Sequence, residues 1–288
     1  MAKIKVLQPG LFSTIQDLGR SGFQKYGVPK SGVMDTYAMR ICNLILGNTE
    51  TTSVMEITFL GPQLEFDAAT KICISGADLS PTLNSEKISS NHIISVNKGD
   101  VLKFGRRISG FRSYLGIKGG FKTEVVMNSQ SWYDGITSST RLDKGMELEY
   151  TTYATKAVQT FSSIKPEMEY LNDTNIEAYP GPEFDQLNLE QQKILFSENF
   201  SLSESSNRMA IQFKEKLENS LSSIITGPVV PGTVQLTPSG QLIALMRDCQ
   251  TTGGYPRVLQ LSDHGIQVLS QKIPGEKINF FRKEYSLG

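Results

Sequence analysis

The 288-residue sequence predicts a mainly β protein made of two related β-barrel-like halves with a few short helices. Short apolar runs separated by glycine and proline turns dominate the chain, as in strand-rich folds. One pattern also recurs three times, in Lys98–Phe104, Lys144–Tyr150 and Pro274–Phe280. Each copy opens on a glycine turn and then alternates, so that an aliphatic and an aromatic residue fall two positions apart on one face. A further parallel links two passages that each run from Gly-Pro through two strand-like stretches to an aspartate. These are Gly61-Pro62 to Asp78 and Gly227-Pro228 to Asp248.

Taken in order, the first credible helix starts at Asp35, a side chain able to accept the orphan amides of a first turn. Ala38, Ile41 and Ile45 form its apolar stripe, and Gly47 supplies the stop. Tyr114–Ile117 reads as a strand leading into a hairpin at Gly119-Gly120. Thr151–Asn175 is less regular and carries Lys165-Pro166 and Asn172-Asp173, which places the halves at residues 1–152 and 176–288 with a connecting segment over 153–175. Asn188 with Gln191 three residues on has the form of a capping box, opening a short helix through Ile194 and Leu195. Leu242–Met246 is an apolar run of strand length.

Composition excludes several classes of function. Lys plus Arg total 29 and Asp plus Glu total 29, so no net field draws the chain to nucleic acid or anionic lipid. No apolar run approaches the length of a membrane span, and no h-region precedes Pro9-Gly10. Three widely spaced cysteines do not build a disulfide framework, and a cytoplasmic location is expected. Neither of the two histidines, His92 and His264, has a partner at metal-ligand spacing, so both read as solvated loop residues and no metal site is expected. There is no Gly-x-Ser-x-Gly elbow. Gly116–Thr123 imitates a phosphate loop, but Phe121 separates Gly120 from Lys122 and breaks the spacing.

The densest polar stretch is Arg247-Asp248-Cys249-Gln250-Thr251-Thr252-Gly253-Gly254-Tyr255-Pro256, directly after the Leu242–Met246 strand. Polar groups crowded beside a buried strand need hydrogen-bond partners, either a ligand or their own backbone. Gly253-Gly254 is expected to adopt positive φ and turn successive amides toward an anion or carbonyl oxygen. Cys249 has no adjacent histidine to generate a thiolate, which argues against a nucleophilic role.

A second segment, Gly10–Arg20 leading through Ser21-Gly22 to Gly27-Val28-Pro29-Lys30-Ser31-Gly32-Val33-Met34-Asp35, completes a recognisable set. With the decapeptide, Val54–Thr58, Gly61-Pro62, Gly76-Ala77-Asp78, Gly181-Pro182-Glu183 and Asn207-Arg208-Met209, it resembles the KipA / allophanate hydrolase subunit 2 family. That family is also known as the 5-oxoprolinase C subunit, and it includes the carboxyltransferase portion of urea carboxylase (urea amidolyase). The resemblance runs from about residue 4 to residue 283 and implies a cyclophilin-like β fold. The chain departs from the family at Asn128-Ser129-Gln130-Ser131-Trp132, where an arginine is usual. It departs again at Arg208-Met209-Ala210, which replaces Arg-Met-Gly and is followed by Ile211-Gln212-Phe213 without the usual arginine.

The resemblance implies a site between the halves. Asp248, Gln250, Thr251 and Thr252 are the candidate catalytic residues, and Gln16, Asp17, Arg20, Ser31, Asp35 and Tyr255 the candidate substrate-binding ones. Arg20 offers a planar fork for a carboxylate or phosphate, or an ion pair to Asp17. Asp248 can orient water and accept a proton, or accept amides of the following turn. Gln250 and the two threonine hydroxyls can donate to an oxyanion, or satisfy the loop. Asp35 can simply cap its helix.

The activity first implied is ATP-dependent cleavage of the lactam of 5-oxoproline to glutamate, an amide hydrolysis in which this chain is inactive alone. ATP enters at the level of the complex. The implied partners are a KipI-like companion (the 5-oxoprolinase B subunit) and a LamB/YcsF-like companion (the A subunit), with a small amide as substrate. Carboxyl transfer to urea or a related amide is the alternative, with biotin carried by another protein because no Met-Lys-Met occurs here. A non-enzymatic KipA-type regulator that binds a KipI-like kinase inhibitor is the third.

Overall fold

In the computed structural model, residues 1–153 and 165–284 are described. The chain is mostly β, with three α-helices among the described residues. It divides into two compact units, Met1–Arg20 with Ser31–Leu171 and Ser21–Lys30 with Asn172–Gly288. The division expected at 1–152 and 176–288 puts the change of unit at a similar place but leaves Ser21–Lys30 with the first half. The structure instead gives that segment to the second unit, where Gln24 and Lys30 line a cavity with residues far along the chain. Part of the expected connecting segment, 154–164, lies outside the described residues.

The first unit contains two sheets. One has six strands in the order Glu147–Tyr150, Ala2–Gln8, Gln63–Phe66, Val101–Lys103, Thr82–Leu83 and Glu86–Lys87. The other has five, in the order Phe12–Gln16, Val54–Thr58, Ser109–Ile117, Thr70–Asp78 and Ile94–Val96. Side chains from both meet in one core, with Ile4, Leu64, Phe66 and Leu102 from the first and Ile15, Ile57, Ile74 and Leu115 from the second. The opposite face of the five-stranded sheet is covered by helix α1 (Thr36–Leu46), where Ala38, Met39, Cys42 and Leu46 pack with Val54, Cys73 and Tyr114. Its central strands are therefore buried on both faces, which explains the unbroken run Ile72-Cys73-Ile74: alternate residues serve alternate cores. Gly116 lets the helix approach, since a Cβ there would lie 3.0 Å from Leu46 Cδ1 and 3.1 Å from Cys42 Cβ.

Both ends of α1 follow the sequence pattern. Asp35 Oδ1 accepts the Ala38 amide at 3.0 Å, and Gly47 adopts φ 61° at the other end. The exposed carbonyls of that end are then used by the loop that imitates a phosphate site. Lys118 Nζ donates to the Leu46 and Gly47 carbonyls at 2.8 and 3.0 Å, Gly119 N to Asn48 Oδ1, and Lys122 Nζ to the Gly119 carbonyl. Its ammonium groups are committed to backbone oxygens, so this turn does not fit a nucleotide phosphate. Nor does it open a hairpin as expected, because the next pairing is an isolated bridge from Phe121 to Tyr150.

The second unit is built on seven strands, in the order Phe200–Ser201, Lys277–Arg282, Asn175–Pro180, Arg257–Leu261, Thr233–Leu236, Gln241–Leu245 and Ala210–Lys216. Only Asn175–Pro180 and Lys277–Arg282 run parallel. A bridge between Leu202 and Phe213 joins the two ends of this order, so the sheet closes nearly into a barrel. Phe200, Phe213 and Phe280 fill the seam, with ring centroids 5.4 to 6.0 Å apart.

Helix α2 (Leu189–Ser197) has the expected capping box of Asn188 and Gln191. Helix α3 (Asp263–Ser270) has no counterpart among the sequence expectations, and it moves His264 from a loop to an exposed helical position. Gly265 hides it by reading as a breaker. A Cβ at that residue would lie 2.4 Å from the Glu177 carbonyl, so glycine is what lets the helix dock on the Asn175–Pro180 strand.

All three copies of the recurrent pattern are strands, and Leu102 with Phe104, Leu148 with Tyr150 and Ile278 with Phe280 are buried as the alternation requires. The two Gly-Pro passages do not share a pairing, however. Thr233–Leu236 and Gln241–Leu245 pair with each other, whereas Gln63–Phe66 and Thr70–Asp78 lie in different sheets.

Candidate functional site

The polar decapeptide forms a loop fastened at both ends by paired guanidinium and carboxylate groups. As the Gln241–Leu245 strand ends, Met246 N donates to the Met209 carbonyl and Asp248 N to the Arg208 carbonyl, at 2.8 and 3.0 Å. The Arg208 side chain then reaches back, with Nε 2.7 Å from Asp248 Oδ2 and Nη2 3.1 Å from Oδ1. At the far end Arg257 donates Nε to Glu183 Oε2 at 2.9 Å and Nη2 to Oε1 at 2.7 Å, while its amide also reaches Oε2. Hydrogen bonding from Arg257 holds the Glu183 carboxyl below the usual carboxylate range, against the opposing effect of its partial burial. Both pairs are bidentate, the geometry that fixes direction as well as distance. Both Asp248 carboxylate oxygens accept from Arg208, which ties the start of the loop to the Arg208 segment.

Between these anchors the loop is extended. Gly253 and Gly254 do not adopt positive φ, contrary to expectation, and no amide nest forms from them. Instead Thr252 and Gly253 pair with Pro228 and Gly227, and Val229 N donates to the Thr251 carbonyl at 3.1 Å. Glycine is needed at 253 for closeness. A Cβ there would lie 2.4 Å from Nε2 of buried Gln235, the same nitrogen that holds the Tyr255 carbonyl at 3.2 Å. Gly253→Ala is expected to displace Gln235 and destabilise the second unit by roughly 1–3 kcal/mol. Denaturation of Gly253→Ala with and without Gln235→Ser checks this, since relief of the clash should restore part of the loss.

A cavity of about 230 Å³ opens beside the loop, wholly within the second unit. Gln250 and Thr251 line it, together with Lys30, Arg247 and Asp263, and Val229 to Pro231 form an apolar wall. Asp248, Thr252 and Tyr255 are not among its lining residues, and the latter two are exposed. Of the four candidate catalytic residues, Gln250 and Thr251 are thus brought to one concave surface, where an amide and a hydroxyl can hydrogen-bond a small polar ligand.

The first-unit candidates are brought together too, but in a buried network. Gln16, Arg20, Ser31 and Asp35 are fully buried and Asp17 nearly so. Asp17 Oδ1 accepts Gly19 N at 2.8 Å and the Ser129 and Ser131 hydroxyls at 2.6 Å each, and Oδ2 accepts Gln130 N at 2.6 Å. Arg20 Nη2 donates to the Ser131 carbonyl, and Gln16 Nε2 donates to the Trp132 carbonyl at 3.1 Å. The departing segment Asn128–Trp132 is therefore the partner of the Gln16–Arg20 turn. Gln130 turns its amide to the Phe121 and Thr123 carbonyls.

Ser31 has φ 56° and Gly32 φ 94°, a reversal that lets Val33 N reach the Asp17 carbonyl. The Ser31 hydroxyl and Gln16 Oε1 have no hydrogen-bond partner among the described residues, a cost that buried polar groups rarely carry. Asp35 is a structural cap. Its second oxygen accepts the Tyr170 hydroxyl at 2.6 Å, and burial with the neighbouring Asp35 charge pushes the Tyr170 phenol far above its ordinary range.

The model of the "Carboxyltransferase domain, subdomain A and B" family matches residues 26–282. The chain belongs to this family. As a carboxyltransferase-domain protein it is 29% identical to the 5-oxoprolinase C subunit of Escherichia coli, over 96% of its own length and 90% of that protein's. It is 31% identical to the 5-oxoprolinase C subunit of Haemophilus influenzae over the same shares. Among solved structures, the urea amidolyase of K. lactis superposes with a TM-score of 0.85 at 26% identity. That match covers 98% of this chain but only 19% of the larger protein.

Within this carboxyltransferase domain Cys249 is no nucleophile in waiting. Burial, and next the Asp248 charge, push its thiol up to about 12, so it stays protonated at neutral pH. Cys249→Ser should retain activity, and iodoacetamide at pH 8.5 should alkylate the native thiol ~100-fold more slowly than the unfolded one. Rapid native labelling would contradict this.

Residues to which the sequence assigns no role are prominent. Arg208 and Glu183 sit in recognisable motif pieces, yet their partners lie far along the chain. Lys30 and Arg247 carry no assigned role either, although both flank chosen residues. Among the described residues no helix is long and apolar enough to cross a membrane.

Proposed function

We propose that this chain is the C-type member of an ATP-dependent 5-oxoprolinase complex, acting with B-type (KipI-like) and A-type (LamB/YcsF-like) companions to open the lactam of 5-oxoproline. The observation that carries the proposal is the near end-to-end match with the 5-oxoprolinase C subunit, which covers 96% of this chain and 90% of the relative. The match to urea amidolyase takes in only a fifth of a much larger protein. A lactam is a resonance-stabilised amide, so its carbonyl needs activation before water attacks, and ATP would supply that activation within the complex. The turn at Gly116–Thr123 is not where a nucleotide would bind, given its committed lysines. This chain's contribution is to hold and polarise the amide: Gln250 and Thr251 face a cavity of ring-sized volume, positioned by the two ion pairs at the loop ends.

The test is formation of glutamate and ADP from 5-oxoproline and ATP by the co-purified complex, with this chain omitted as the control. Loss of both products on omission is expected. An intact complex that turns over nothing would defeat the reading. Carboxyl transfer is the second reading, favoured by the family description itself. The same cavity, with an apolar wall beside amide and hydroxyl groups, also fits a ureido ring, and biotin borne on another protein would supply the carboxyl group.

A further inference from the structure

We propose that the second-unit cavity carries a covalent site, in which the amine of Lys30 adds to the carbonyl carbon of a small aliphatic aldehyde and holds it as an imine. Two cationic side chains line this cavity, Lys30 and Arg247, but they differ in chemistry. A guanidinium stays protonated and is no nucleophile. Lys30 is half-buried, and its ammonium makes no hydrogen bond or ion pair with any described residue. Lys118 and Lys122, by contrast, are spent on backbone carbonyls. Burial, and next the positive charge of Arg247, hold the Lys30 ammonium below its ordinary range, with Asp263 opposing. A desolvated lysine beside another cation is a usual environment for a nucleophilic amine. Cys249 lines the same cavity, yet its thiol stays protonated at neutral pH, so the amine is the reactive group.

The rest of the lining selects the class of carbonyl. The Gln250 amide and the Thr251 hydroxyl donate to no described residue, so one can polarise a carbonyl oxygen and the other can pass a proton. Val229, Val230 and Pro231 give an apolar wall. A cavity of roughly 150 Å³ already admits a benzene ring, so about 230 Å³ takes a short alkyl chain. Amides and carboxylates do not condense with an amine unaided, whereas an aldehyde does. The amine lone pair forms the C–N bond, the carbonyl π pair moves to oxygen, and a proton passes from nitrogen to that oxygen. The nitrogen lone pair then expels the oxygen as water, which takes the second amine proton. One amine and one aldehyde thus give one imine and one water, with no further reactant. The site goes beyond the amide chemistry proposed above and does not rest on it.

Reductive trapping on the full chain tests it, with butanal and cyanoborohydride at neutral pH followed by peptide mass mapping of the lysines. Lys30 should be butylated at least ~10-fold faster than the exposed lysines, a gain well within reach of a bound and oriented carbonyl. Its rate should saturate with butanal, while theirs rises in proportion. In urea the preference should vanish. Lys30→Arg keeps the charge and should abolish the fast adduct. Gln250→Ala and Thr251→Val should each slow labelling of Lys30 several-fold while leaving the unfolding midpoint of the chain in place. Labelling of Lys30 at the pace of the exposed lysines, a rate that never saturates, or a preference that survives in urea would overturn the proposal. So would a rate indifferent to both Gln250→Ala and Thr251→Val. A carbamate on Lys30 in labelled bicarbonate, seen by carbon NMR without any butanal adduct, would overturn the choice of an aldehyde.

Discussion

Arg208→Met is expected to destabilise the second unit by about 3–5 kcal/mol, the usual cost of removing one partner from a buried ion pair. Only 7% of the Arg208 side chain and 13% of the Asp248 side chain are exposed, so water cannot take over the role of the lost guanidinium. The stranded carboxylate, more than the lost attraction, sets the size of the effect. Asp248→Leu in the same chain should therefore recover a large part of the stability, because it removes the uncompensated charge. A double-mutant cycle followed by chemical denaturation decides the matter. Losses that simply add would mean that the two residues are not coupled. Under the function proposed above, the same Arg208→Met protein should lose glutamate formation in the assembled complex, since Gln250 and Thr251 lie just beyond the freed anchor.

The second large effect belongs to Asp17→Asn in the first unit. Four donors converge on this carboxylate: two amides besides the hydroxyls of Ser129 and Ser131. An asparagine can present only one oxygen. Whichever way its amide turns, an NH₂ group meets at least one N–H or O–H donor, and hydrogen bonds to a charged acceptor contribute about 1.5–3 kcal/mol each. A loss of about 3 kcal/mol is expected, together with faster hydrogen exchange at the Gln130 amide. Ser129→Ala should cost less, about 1–2 kcal/mol, because it removes one donor to the carboxylate and the acceptor of the Ser131 amide but leaves the charge satisfied by the other three donors. If Asp17→Asn proved as mild as Ser129→Ala, the hub would not be the organising centre of that turn.

What the sequence made legible was local. Asp35 and Asn188 announced two helices through caps that reach only three residues, and the aliphatic–aromatic alternation announced three strands. The contacts that organise the loop were not legible, because Arg208 and Asp248 stand 40 residues apart and Glu183 and Arg257 stand 74 apart. Motif pieces at both arginine and glutamate were visible, but nothing in a linear chain says which carboxylate a guanidinium will meet. Gly253-Gly254 and Gly265 misled for one shared reason. A glycine chosen for the close approach of a neighbour looks the same in sequence as one chosen for a left-handed turn. The candidate substrate-binding residues Gln16, Asp17, Arg20, Ser31 and Asp35 have polar chemistry suited to a ligand and are buried, whereas neighbouring Lys30, to which the sequence assigns no role, lines a cavity.

That Ser21–Lys30 belongs with residues beyond Asn172 sets an order on the making of the protein. During synthesis the short segment emerges early, and the strands it must join come last. At the usual ~5–20 residues per second the wait is on the order of ten seconds. The nascent chain must keep Lys30 uncommitted through that time, while the segments on either side of it can already begin to pack. Nor can the second unit be produced as a fragment starting at residue 172 with its cavity whole, because Gln24 and Lys30 would be missing from the wall. A gene cut at the apparent boundary would yield a barrel that has lost one of its two cations.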